Sequence, residues 1–139
     1  MNALDTNVLV YALDRNDPIK RQKARDLLRR LHISQSLTVI SWQVAGEFLR
    51  WLRFCQQKGQ ISQNLLELYL RRFLAFFPLR FPNAAVLDRA IDLYARYSLS
   101  HWDSILLGAC AESGVTTLYT EDIGSPRVVD TIQLVNPFI

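Results

Sequence analysis

Short apolar or β-branched runs alternate along this chain with longer stretches whose apolar residues recur every three or four positions. These are the periods of buried strands and of amphipathic helices. Residues 3–5 read as a short buried strand, and 7–13 as a helix capped by Asp5 or Thr6. Asp17-Pro18 offers a capping carboxylate followed by proline at the first helical position. The helix it starts places Ala24, Leu27, Leu28 and Leu31 on one face and basic residues around the rest. Residues 37–40 predict a second strand. Four further helices follow from their caps: Ser41 towards Gly59, Ser62 to Phe77 before Pro78, Asn83 to about Tyr97, and Ser100 to about Ser113 with Gly114 as its stop. Residues 79–81, 116–119 and 132–135 read as the remaining strands. Strands alternating with helices predict an α/β fold with a mainly parallel sheet covered on both faces. No repeat or Gly/Ser linker divides the chain, so residues 1–139 are expected to form a single domain.

Composition narrows the function classes. No apolar run approaches the roughly 18 residues of a membrane helix, and the opening residues lack the basic and apolar regions of a secretory leader. Cys55 and Cys110 stand without CxxC or Cys/His spacing and read as small core residues of a cytoplasmic protein. The formal charge is +3, and arginine outnumbers lysine 13 to 3, which suits bidentate phosphate contacts. A solvated basic surface would have the same composition.

The candidate chemistry lies in four carboxylates, Asp5, Glu47, Asp103 and Asp122. Sites in parallel sheets form beyond the carboxyl ends of the strands, where Asp5 and Asp122 fall. Carboxylates crowded into one cleft raise one another's pKa, a cost that a hard divalent cation removes. Setting these four aside leaves 16 basic against 9 acidic residues for the rest of the molecule. Each acid also has an ordinary explanation. Asp5 can cap the helix after it, and Thr6 and Asn7 can cap or can orient a carboxylate. Glu47 lies beside the apolar stripe of Val44, Phe48 and Trp51, from whose edge a glutamate reaches water. Ser100 and Asp103 fit a capping box, and Asp122 suits a turn, with Glu121 as a competing ligand. The helix from Ser62 to Phe77 is apolar along two lines, which fits a groove or dimer surface as well as a deeply buried helix.

Jointly, the segments LDTNVLVYAL (Asp5, Thr6, Asn7), VAGEFL (Glu47), LSHWDSILLGACAESG (Asp103) and TTLYTEDI (Thr120, Asp122), with the closing LVNPF, resemble the four motifs of the PIN domain family. Within it they resemble the small VapC-type toxins of toxin–antitoxin pairs. The resemblance departs at Gly124-Ser125-Pro126-Arg127, where related toxins often carry a stretch rich in Gln, His and Gly. It implies a three-layer α/β/α fold around a five-stranded parallel sheet, with the acids at one end. It also implies Mg²⁺ or Mn²⁺, an RNA substrate, a cognate antitoxin, a homodimer and hydrolysis of phosphodiester bonds. All-oxygen ligation suits Mg²⁺ or Mn²⁺ over Zn²⁺. Asp5 would be the central ligand, Asp103 and Asp122 further ligands, and Glu47 would hold or help to deprotonate the attacking water. Thr6, Asn7 and Thr120 would orient the carboxylates, and Arg15, Arg50, Arg53 and Arg127 are candidates for phosphate contacts. A haloacid-dehalogenase-like phosphatase is a rival, but it expects a second aspartate where Asn7 stands. A PIN-like module that only binds RNA or protein is another.

Overall fold

Each helix of the computed structural model, which describes all 139 residues, begins at a side chain that the sequence offers as a cap. Asp5, Asp17, Ser41, Ser62, Asn83 and Ser100 each accept a backbone N–H at the start of, respectively, α1 (Thr6–Leu13), α2 (Pro18–Ile33), α3 (Trp42–Gln57), α4 (Gln63–Phe76), α5 (Ala84–Arg96) and α6 (His101–Glu112). These bonds satisfy donors that a helix cannot pair internally.

Between the helices run β1 (Asn2–Leu4), β2 (Thr38–Ser41), β3 (Leu79–Arg80), β4 (Thr117–Tyr119), β5 (Arg127–Val129) and β6 (Ile132–Val135). They form one sheet in the order β3-β2-β1-β4-β6-β5. The five strands read from the sequence all pair in parallel. The expectation of five strands is corrected by a sixth, β5, which pairs antiparallel with β6. Its three residues follow Gly124-Ser125-Pro126 and are too few to show a period of their own. They are recruited by a two-residue turn in which Asp130 adopts left-handed backbone, φ 53°, a conformation that aspartate tolerates better than most residues.

Leu4, Val8, Ile40, Val44, Phe48, Leu107, Leu118 and Leu134 close the core from both layers and are essentially inaccessible. Each contributes on the order of 1.5–3 kcal/mol by leaving water. Burial pushes the Cys110 thiol up to about 12, so it remains a protonated core residue. The two apolar lines of α4 divide differently from a deeply buried helix. Leu66 is the buried residue of α4, Phe73 and Leu74 are half-buried, and Leu68 and Phe76 are exposed. No helix is long and apolar enough to cross a membrane.

The packing of α6 matters for the site, because α6 carries Asp103. Gly108 meets α5 so closely that a Cβ would lie 2.8 Å from the Val86 carbonyl oxygen and 3.1 Å from the Ala90 nitrogen. Gly108→Ala is therefore expected to lower stability in urea melts by about 1–3 kcal/mol, although alanine favours an isolated helix by about 1 kcal/mol. A midpoint that is unchanged or higher would contradict this packing.

Candidate active site

The strand order reverses between β1 and β4: the chain moves from β1 to β2 on one side, then crosses to β4 on the other. Such a switch point leaves a crevice beyond the strand ends. Asp5 leaves β1 into it and Thr120 leaves β4 into it. The Asp5 carboxylate is buried, at 7% exposure. Its Oδ1 accepts the Thr6 N–H at 2.7 Å and its Oδ2 accepts the Thr120 hydroxyl at 2.7 Å. The cap and the site are thus the same side chain.

From this pair the network spreads in two directions. The Thr120 oxygen accepts the Asp122 N–H at 3.0 Å, and the Asn7 amide donates to Asp122 Oδ2 at 3.1 Å. On the other side the Thr6 hydroxyl donates to Glu47 Oε2 at 2.7 Å. Glu47 reaches water and is exposed, yet it is held from both sides, because Gln43 Nε2 donates to its Oε1 at 2.9 Å. Asp5, Glu47 and Asp122 therefore share one connected cluster with Thr6, Asn7 and Thr120. Burial pushes the Asp5 carboxyl up to about 6. The two hydrogen bonds oppose that rise, and the nearby Glu47 and Asp122 charges add to it.

Asp103 joins the same end of the molecule by a different route. α6 leads into β4, so its N-terminus lies at the carboxyl edge of the sheet, and Gln43 Nε2 reaches the Trp102 carbonyl at 3.4 Å. The Ser100 hydroxyl accepts the Asp103 N–H at 3.2 Å, which is half of a capping box. The return bond is absent, and the half-buried Asp103 carboxylate accepts no hydrogen bond of its own. No three His, Cys, Asp or Glu side chains close on a common point as a finished cage.

Neighbouring residues separate the two acids of the fourth motif. Glu121 accepts from Lys20 Nζ at 2.8 Å, and that ammonium also donates to the Tyr11 hydroxyl at 3.3 Å. Lys20, whose pKa is raised chiefly by the Glu121 bond, ties Glu121 to α2 while Asp122 turns to Asn7. Of the arginines, Arg50 and Arg53 line a groove of about 1090 Å³ that begins at Thr6 and Glu47. Arg127 folds over the fourth-motif loop and donates to the Ile123 carbonyl at 3.4 Å. Arg15 lies past the far end of α1, in another cavity with Trp51 and Tyr69. Two contributors were not foreseen. Gln43 precedes Glu47 by four residues, a same-face helical spacing that does signal the pair. Nothing local to Lys20 indicates Glu121, 101 positions away.

The PIN domain profile matches residues 3–130. The chain belongs to the PIN domain family. Solved structures with the same fold include a toxin–antitoxin complex from Klebsiella pneumoniae, at 18% identity and TM-score 0.69 over 99% of this chain and 98% of that one. VapC20 of Mycobacterium tuberculosis, described as a sarcin-ricin loop cleaving toxin, matches at 14% identity and TM-score 0.68 over 96% and 99%. VapBC-1 from nontypeable Haemophilus influenzae matches at 13% and 0.69 over 98% and 97%. No curated protein sequence matches the chain. In this PIN domain the residues of all four motifs lie at the carboxyl edge of the sheet.

The raised Asp5 pKa has a measurable sign. The folded value of about 6 lies above the reference of 3.8, so folding favours the protonated form. Stability of the metal-free protein is greatest below about pH 4 with respect to this group and declines as pH rises through about 6. The full loss is about 3 kcal/mol. Asp5→Asn removes the titration, so its stability relative to wild type should grow across that interval in chelator-treated samples. A difference that is flat with pH would contradict the burial of an unneutralised Asp5.

Proposed function

We propose that this PIN domain is a divalent-metal-dependent endoribonuclease and the toxin of a toxin–antitoxin pair. The observation that carries the proposal is the buried Asp5 carboxylate bonded into one cluster with Glu47 and Asp122. The donor set fits a hard cation. It is all oxygen, and the buried Oδ1 of Asn7, whose amide nitrogen holds Asp122, has no hydrogen-bond partner. Asp5, Asp103 and Asp122, with Glu47 directly or through water, would hold Mg²⁺ or Mn²⁺, ions that commonly retain several waters. The ion would neutralise the charge gathering on the phosphodiester and acidify the attacking water.

The chain's own residues do the rest. Asp5 is fixed by Thr6 and Thr120, and Asp122 by Asn7 and Thr120, so neither carboxylate needs to reorganise when substrate arrives. Glu47, braced by Thr6 and Gln43, takes the proton of the water that attacks phosphorus in line. The bond to the 3′-oxygen breaks, that oxygen takes a proton from solvent, and the products carry a 5′-phosphate and a 3′-hydroxyl. Arg50 and Arg53, along the groove from Glu47, meet the phosphates on either side of the scissile bond. The Klebsiella relative is a toxin–antitoxin complex, which supports an antitoxin as partner, and VapC20 cleaves the sarcin-ricin loop, which supports RNA as substrate. A homodimer and a cytoplasmic location complete the proposal.

Asp5→Asn and Asp122→Asn are each expected to lower RNA cleavage in Mg²⁺ or Mn²⁺ by about a hundredfold or more, the scale of losing one preorganised electrostatic group. Thr120→Val, which leaves every carboxylate in place, should cost about ten- to hundredfold. Gel assays of purified protein, with chelator as the blank, provide the measurement. Full cleavage by the Asp5→Asn protein, or cleavage that survives the chelator, would overturn the proposal.

A further inference from the structure

Large aromatic side chains are usually well covered by protein, yet several stand out of the surface beside this cleft: Phe54 in the Glu47 groove, and three that meet one another. Trp42, Trp102 and Phe81 are 56%, 64% and 72% exposed. Their meeting is a consequence of strand register. β2 and β3 pair in parallel with Ser41 opposite Arg80, so the next residues, Trp42 and Phe81, leave the sheet side by side. Their ring centroids are 5.6 Å apart and the planes are tilted by 36°. Trp102 enters from the start of α6 and lines the same concavity of about 540 Å³, with Arg80 on its rim.

This concavity is continuous with the proposed active site. Gln43 and Trp102 border both it and the groove that holds Glu47, Arg50 and Arg53. β2 and β3 lie one and two strand spacings from β1, about 5 and 10 Å, so the aromatic residues leave the sheet on the Glu47 side of Asp5. Arg80 in the concavity, Arg50 and Arg53 in the adjoining groove, and accessible ring faces fit a flat, uncharged ring attached to an anionic backbone, and the one carboxylate of the lining, Glu112, is paired with Arg89. A paired base keeps its faces covered by its neighbours, whereas an unpaired one presents them for stacking.

We propose that Trp42, Phe81 and Trp102 form a stacking platform that takes an unpaired base of the RNA next to the scissile phosphate. This rests on the nuclease assignment, and it adds Trp42 and Phe81, which none of the four motifs contains, to Trp102, which precedes Asp103 in the third.

The test uses the full chain with a chelator present, so that binding is read without cleavage. The probes are a fluorescein-labelled uridine oligonucleotide, the same oligonucleotide with abasic sites, and an RNA duplex, all at one salt concentration. Wild type is expected to bind the intact single strand more tightly than the abasic one, with quenching of tryptophan fluorescence. Phe81→Ala and Trp42→Ala should each weaken single-strand binding about tenfold and leave abasic and duplex binding unchanged. Phe81→Trp should retain it. Circular dichroism and melting curves confirm that the variants are folded, as expected for side chains this exposed. Equal single-strand affinity for wild type and both alanine variants overturns the platform, even where wild type cleaves RNA. Alanine variants that lose self-association in sedimentation but keep their RNA affinity also overturn it, and assign the face to a second copy of the chain. A wild type that neither binds nor cleaves RNA removes the nuclease assignment and the platform together.

Discussion

A carboxylate buried at the end of the central strand governs the organisation of this molecule. Asp5 is out of water, and an ionised group in that position must recover its lost hydration from its surroundings. Two hydrogen bonds at 2.7 Å recover part of it. Glu47 and Asp122 act in the opposite sense, since their charges make the Asp5 anion harder to form. An arrangement selected for stability alone would place a cation side chain there, or a neutral one. Lys20 is close enough in the fold to reach the fourth-motif loop, and it is engaged instead by Glu121. The cluster thus retains an electrostatic deficit that a bound divalent cation is suited to fill.

The architecture makes that concentration of charge possible. Parallel strands of only two to four residues bring several chain segments to one edge within a short sequence. The switch point between β1 and β4 opens the crevice there. Helix caps and the acidic cluster are built together: Asp5 both caps α1 and anchors the cluster, and at α6 the neighbouring Ser100 does the capping and leaves the Asp103 carboxylate unbonded. The basic surplus lies outside the crevice, with Arg50 and Arg53 exposed along the groove that leads from it. Negative side chains within and positive ones outside are the charge arrangement that the proposed metal ion and RNA would require.

Much of this was legible in the sequence because the signals were local. Caps, apolar periods and Gly114 located all six helices. The four motifs singled out four acids that each had an ordinary explanation, and the structure joins three of them, Asp5, Glu47 and Asp122, in one hydrogen-bonded cluster. β5 was not legible, since a three-residue strand carries no period and exists only because the turn at Asp130 folds it against β6. The choice between Glu121 and Asp122 was also not local, because it depends on Lys20 arriving from α2 and Asn7 from α1. The aromatic surface of Trp42 and Phe81 arises from a pairing register between segments 39 residues apart, which no window of sequence contains.

The central claim is that the ionised Asp5 belongs with a metal ion, and proton release on metal binding tests it most directly. In the metal-free protein Asp5 is half protonated near pH 6, and a ligand carboxylate must shed its proton when the ion binds. Titration calorimetry with Mn²⁺ in buffers of different ionisation enthalpy counts the protons displaced. About half a proton per protein is expected near pH 6, declining towards zero by about pH 8, with the release absent in the Asp5→Asn protein. Binding at pH 6 that displaces no proton from wild type, or the same number from both proteins, would contradict the account.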